Sequence, residues 1–290
     1  MARYRNRELG MTYRSLLVLL DHDPLCAART QVAISLAQQL DCHLVGLAPT
    51  GLVEMPVSLQ AAASMAEFAT LAWDSLREQA RQALQQFDTE CRAAGLRSFE
   101  TVLDESDKAP SLVRHVHCSD LCVLTQTDPS APGHRTAQAL VEQVVLYSAR
   151  PTLLLPYAGR VARVGGHVMV AWDDSRESAR AVSDALPLLR LADRVEVISW
   201  TDAATAEGPS LQGRLQALQQ WLAWQGVVAE VSIETTGHGI ADAMLSRAAD
   251  QSIDLIVMGA YGHSRWTERV LGGATRGLLA SMTVPVLMSH

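Results

Sequence analysis

The sequence predicts an α/β protein built as two tandem open five-stranded parallel sheets with helices on both faces. Three observations predict it. Short continuous apolar runs alternate with stretches whose apolar residues recur every three to four positions, the pattern of buried parallel strands and the helices that cover them. Sliding the chain by 134 residues lays Ser119-Asp120-Leu121-Cys122-Val123-Leu124 on Ile253-Asp254-Leu255-Ile256-Val257-Met258 and carries Pro151 onto Pro285 without a gap. A chain of 290 residues with 48% hydrophobic composition suits two cores of about 140 residues each better than one large core. The expected domains are therefore residues 1–158 and 159–290.

In chain order, strands are expected at 16–20, 43–48, 98–103, 120–125 and 152–155 in the first half. Between the second and third of these lies an insert near 49–66, followed by a long helix over 66–94. Phe68, Leu71, Trp73, Leu76, Ala80, Leu84 and Phe87 mark its core-facing stripe. Comparing the 134-residue shift with the 152-residue shift that aligns the opening strands gives this half about 18 extra interior residues. Residues 157–166, with Gly159, Gly165 and Gly166, form the linker. The second half reads as strand 167–172, helix 178–191, strand 195–200, helix 211–225, strand 229–235, helix 240–251, strand 254–258, helix 267–282 and strand 285–288.

Composition narrows the function. A net charge of −7 with 24 Lys plus Arg argues against nucleic acid and anionic membranes as partners, and no apolar run is long enough to span a bilayer. The apolar run after Arg3, Arg5 and Arg7 is too short for a secretory signal, so a cytoplasmic location is expected. Five cysteines, odd in number and confined to the first half, form no disulfide framework. His115, His117, Cys118 and Cys122 match no familiar zinc spacing, and no metal is expected there.

In an open parallel sheet, ligands bind beyond the carboxyl ends of the strands, where strand order reverses. At such ends stand Asp173, Trp200, and Met258-Gly259-Ala260-Tyr261-Gly262, with Gly272-Gly273-Ala274-Thr275 further on. Glycines there let backbone N–H groups approach an anion, and a following helix adds its positive end. The same glycines equally suit a bare strand-to-helix turn. Asp173 is read either as a helix cap or as a ligand to ribose or Mg²⁺, with Asp174 and Ser175 better placed to cap.

Asp173 followed by Gly259-x₂-Gly262-x₉-Gly272 resembles the universal stress protein family, and the duplicated layout resembles its tandem members. The resemblance implies an adenine nucleotide alpha hydrolase-like sheet and ATP as ligand, with Mg²⁺ carried on the nucleotide at Asp173. It implies that Ala171, Trp172, Asp173 and Trp200 border adenine and ribose. Met258, Gly259, Gly262, Gly272, Gly273 and Ala274 would wrap the nucleotide, and His263 and Thr275 are candidate additions at the phosphates. Gly273 stands where the family usually has Ser or Thr, removing one hydroxyl; Thr275 is the expected substitute. The family's pairing of fifth strands implies an intramolecular pseudo-dimer, with homodimerisation of whole chains compatible.

Under the 134-residue shift, Gly259, Gly262, Gly272 and Gly273 become Thr125, Asp128, Gln138 and Ala139. The first half is therefore expected not to bind ATP. No nucleophile is paired with an evident base, so the expected role is sensing or regulation in a stress response, with slow ATP hydrolysis at most. Two other readings stand beside it: a nucleotide-free interaction module whose glycines serve only the turn, and a nucleotide hydrolase or nucleotidyl-transferring enzyme on a related sheet.

Overall fold

The computed structural model describes residues 12–51, 62–202, 209–237, 239–262 and 273–290. In the first half, strands β1 (Ser15–Leu19), β2 (His43–Pro49), β3 (Phe99–Asp104), β4 (Leu121–Thr125) and β5 (Thr152–Leu155) alternate with helices α1 (Cys26–Leu40), α2 (Ala62–Ala93), α3 (Lys108–Val116) and α4 (His134–Tyr147). The second half repeats the order with β6 (His167–Ala171), α5 (Arg176–Leu189), β7 (Arg194–Asp202), α6 (Pro209–Trp224), β8 (Glu230–Thr236), α7 (Ile240–Asp250), β9 (Leu255–Gly259), α8 (Gly273–Ser281) and β10 (Val286–Ser289).

Each half is a parallel five-stranded sheet, and the two are joined edge to edge in the order β3-β2-β1-β4-β5-β10-β9-β6-β7-β8. The join is antiparallel, with Leu153 opposite Leu287. Every other strand pair is parallel. Pairing β5 with β10 removes two sheet edges that would otherwise expose unpaired backbone groups. The expectation of two sheets is thus refined to one ten-stranded sheet.

Both faces of this sheet are buried, and each core contains residues from both halves. Leu16, Val18, Leu121 and Leu153 share one core with Val168, Val170, Val257 and Leu287. Leu17, Leu124, Val144 and Leu154 share the other with Met169, Ile256, Leu278 and Met288. Adjacent strand residues go to opposite cores because side chains alternate across a strand. Two buried polar side chains tie the halves further: the Tyr13 hydroxyl donates to the Asp184 carbonyl at 2.6 Å. Gln126 Nε2 donates to the Leu279 carbonyl at 2.9 Å.

Helix α2 begins earlier than its expected start and buries only part of the expected stripe. Ala80 and Phe87 are buried, whereas Leu71 is 69% exposed. Phe87 lies over β2, where a Cβ added to Gly46 would come within 2.7 Å of its ring. The insert over 52–61 lies outside the described residues. So does the start of the helix expected from residue 267, whose described part is α8.

The five cysteines are free, with Cys42, Cys91 and Cys122 buried. Burial pushes each of these three thiols up to about 12. His115 Nε2 lies 3.2 Å from Asp104 and His117 Nε2 lies 3.2 Å from the Tyr147 carbonyl. Among the described residues no group of three or more His, Cys, Asp or Glu side chains is arranged to hold a metal.

Candidate functional site

Strand order reverses between β6 and β9 in the second half, and between β1 and β4 in the first. At the second-half crevice Ala171 and Met258 end neighbouring strands in register, both buried. Asp173 follows β6, exposed, and its Oδ1 accepts from the Ser175 amide at 3.1 Å and the Ser175 hydroxyl at 2.6 Å. Ser175 is the N-cap of α5, with its hydroxyl oxygen accepting from the Ser178 amide. Asp174, at φ 59°, instead pairs with Arg214 at 2.7 Å. Capping therefore falls to Ser175, and Asp173 Oδ2 lies on the Gly262 side, without an ion pair among the described residues.

The two described loop glycines do different work. A Cβ at Gly259 would lie 2.5 Å from the Ser178 nitrogen and 2.6 Å from the Glu177 carbonyl carbon, so this glycine admits the first turn of α5. Its need is packing, and the turn-only reading holds for it. A Cβ at Gly262 would meet nothing closer than 3.4 Å, and its neighbours would be Glu177 Oε2, Ser175 Oγ and Asp173 Oδ2. Gly262 therefore opens onto the acidic side of the crevice.

Two loop amides are already satisfied. Ala260 donates to the Ser289 carbonyl at 2.8 Å, and Tyr261, at φ 56°, donates to Thr275 Oγ1 at 3.2 Å. Thr275 is buried in α8, and its oxygen already accepts from the loop, which leaves one lone pair and the hydroxyl proton. Gly273 and Ala274 open the same helix, and a Cβ at Gly273 would meet nothing within 4 Å. His263 and Gly272 lie outside the described residues.

Buried donors collect near these strand ends. Among the described residues the indole N–H groups of Trp172 and Trp200, the Thr201 hydroxyl and the Tyr261 hydroxyl have no hydrogen-bond partner. Trp172 belongs to one core and Trp200 packs against the other. Glu177, absent from the sequence reading, is a buried carboxylate in the first turn of α5. Burial pushes its carboxyl up, but its own backbone amide, Arg176 and the charge of His290 more than offset this and hold it below the ordinary value. A carboxylate near a helix N-terminus is electrostatically favoured anyway, which is why sequence alone reads Glu177 as routine.

The strand ends of the first-half crevice are bridged from within. Arg29, 2% exposed, donates from Nε to the Leu19 carbonyl at 2.9 Å, from Nη1 to Thr125 Oγ1 at 2.7 Å and from Nη2 to Asp21 Oδ1 at 2.7 Å. One guanidinium thus joins the ends of β1 and β4. Asp21 corresponds to Asp173, Thr125 to Gly259, and the same 152-residue shift places Ala181 where Arg29 stands. The sequence reading missed this bridge, although an arginine among the buried positions Ala33, Ile34 and Ala37 of α1 was its signal.

Residues 166–290 match the universal stress protein family. The match covers the second half of the chain. A curated universal stress protein of Synechocystis sp. is 28% identical over 162 residues, 56% of this chain and 54% of that protein, so the match spans about half the length of that relative. Among solved structures, a universal stress protein of Archaeoglobus fulgidus superimposes with a TM-score of 0.73 at 15% identity, covering 95% of this chain and 97% of that one. A Pseudomonas aeruginosa protein described as functionally unknown superimposes with a TM-score of 0.58 at 18% identity, covering 96% and 92%. At these identities the likeness concerns the fold, and it extends over both halves.

Proposed function

We propose that this chain is a universal stress protein that binds an adenine nucleotide, ATP foremost, at the β6/β9 crevice, and that binding serves sensing or regulation rather than turnover. The observation that carries the reading is the contrast between two equivalent carboxylates. Asp21 is neutralised by Arg29, whereas Asp173 has no ion pair among the described residues and sits beside Gly262, whose surroundings are open. In an α/β sheet, a free carboxylate at the switch point is placed to accept ribose hydroxyl bonds. Unpartnered indole and hydroxyl donors nearby suit the acceptor atoms of a purine and its sugar.

Charge selects the form of the ligand. Asp173 and Glu177 both border Gly262, so bare phosphates there would meet two carboxylates. The residues fit a nucleotide whose charge is offset by Mg²⁺, and Asp173 is the residue that would meet the metal. The metal would supply charge neutralisation; the chain itself contributes the Gly262 opening and the Asp173 carboxylate. Residues 1–158 and 159–290 then act as two domains of an internal pseudo-dimer in which only the second holds nucleotide. A cytoplasmic location and further dimerisation of whole chains belong to the same proposal.

The nucleotide-free alternative draws support from Gly259, whose role is packing, and from the two satisfied amides. Gly262 separates the readings. Its surroundings tolerate a Cβ, so Gly262→Val fills the crevice while keeping the fold. The expected result is adenine nucleotide released from freshly purified parent protein, with Mg-ATP affinity at least tenfold weaker in the variant, or roughly 1.4 kcal/mol. Parent protein that carries no nucleotide and gives no heat with Mg-ATP leaves the interaction module as the function.

A further inference from the structure

A cavity lies beside the bridged strand ends of the first half, between helix α1 and the linker that joins the halves, with Arg29 and Thr125 in its wall. It measures about 480 Å³, within the range of small-molecule sites. Its walls mix polar and apolar groups, with Val32 and Leu36 of α1, Leu155 and Val161 among the apolar ones. Its charged lining is Arg29, Arg160 and Arg163, with no Asp or Glu. In a chain of net charge −7, a lining with three arginines and no acid is not what average composition supplies.

The three arginines differ. Arg163 is paired with Asp193 at 2.7 Å. Arg29 is paired with Asp21, but a guanidinium has five N–H donors and its three bonds use one each. Arg160 is exposed and has no ion pair among the described residues. The cavity therefore offers a buried fork with spare donors, an uncompensated cation at its rim, and apolar side chains in its walls. Planar forks of this kind suit carboxylate and phosphate oxygens.

We propose that this groove is a ligand site for a small amphipathic organic anion, an aliphatic body carrying one carboxylate or phosphate head. The head meets Arg160 and the spare donors of Arg29, and the body lies along Val32 and Leu36. Because one wall is the inter-half linker, an occupant fastens the linker to α1. The site is separate from the β6/β9 crevice and stands whether or not nucleotide binds there.

The test is calorimetric titration of the full chain with sodium octanoate and with octyl phosphate, alongside thermal unfolding. Octylamine hydrochloride serves as the opposite-charge control and inorganic phosphate as the head without a body. One octanoate or octyl phosphate per chain, a raised unfolding midpoint and no comparable effect of octylamine or inorganic phosphate are expected. Arg160→Glu, on the exposed rim, should weaken binding about tenfold with parental stability, and Val32→Trp should abolish it by filling the trough. Equal binding of octylamine, binding of several octanoates per chain, or unchanged affinity in folded Arg160→Glu protein overturns the proposal. So does the absence of binding by either anion.

Discussion

At the scale of single residues, chemistry and packing compete for the same glycines. Gly259 and Gly262 look alike in sequence, three positions apart in one loop. The structure separates them, because the first turn of α5 presses on Gly259 and leaves Gly262 open. Gly259→Ala is expected to destabilise the fold by about 1–3 kcal/mol, since its methyl group would meet backbone rather than a movable side chain. Urea unfolding measures this, and a neutral substitution would show that α5 is free to shift. Asp173 was legible from its position after an apolar run. Arg29 was not, because an arginine on a helix ordinarily reads as a solvated surface group, and only the fold shows it joining Leu19, Asp21 and Thr125. Glu177 was hidden for a similar reason, its place in a first helical turn being ordinary.

At the scale of elements, periodicity carried most of the fold. Strand runs such as residues 120–125 and 254–258 were visible because both sheet faces are covered and the strands read as unbroken apolar runs. Strand β7 extends beyond its expected end, through Thr201 and Asp202, where its polar residues continue to pair with Thr235 and Thr236 of β8. Backbone pairing there does not require apolar side chains. A buried charge cluster on β7 was likewise invisible in sequence. Glu196 accepts from His167 Nε2 at 2.9 Å and from Arg247 Nη2 at 2.7 Å, and pairs with Arg194 at 2.9 Å. Burial pushes the Glu196 carboxyl up, but the bonds from Arg247 and His167 and the charges of Arg247 and Arg194 outweigh it. The folded value lies below the ordinary 4.5.

A carboxyl with a lowered folded pKa binds its proton more readily when unfolded. Its stabilising contribution is present above the unfolded value and is lost as pH falls through the folded one. Stability should therefore decline as pH drops below about 4.5. Asp104 adds a further loss towards about 2, held there against burial by Ser106, Ser111, Arg114 and His115. Glu196→Gln should flatten the upper part of that decline. Denaturant midpoints measured from pH 6 to pH 3 check this, and an unchanged slope in the variant would remove Glu196 from the account.

At the scale of the whole molecule, the repeat explains the sheet, and divergence between its copies explains why one end is a candidate site. The pairing of the halves was foreseeable from two matching terminal strands, whereas cores that each draw on both halves were not. Sequence patterns report which residues face inward, not which partner they face. With β5 and β10 paired and both cores shared, cutting the exposed linker at Gly159 and Arg160 should leave the two fragments together on gel filtration. Fragments that separate without denaturant would contradict a shared core.

The central claim is that one of the two equivalent crevices takes nucleotide and the other does not, its carboxylate being held by its own arginine. Equilibrium dialysis of the full chain against radiolabelled ATP with Mg²⁺ counts the open sites. The account predicts one nucleotide per chain, weakened by Asp173→Ala and unaffected by a properly folded Asp21→Asn variant. Two nucleotides per chain, none, or a single site lost with Asp21→Asn but kept in Asp173→Ala would contradict it.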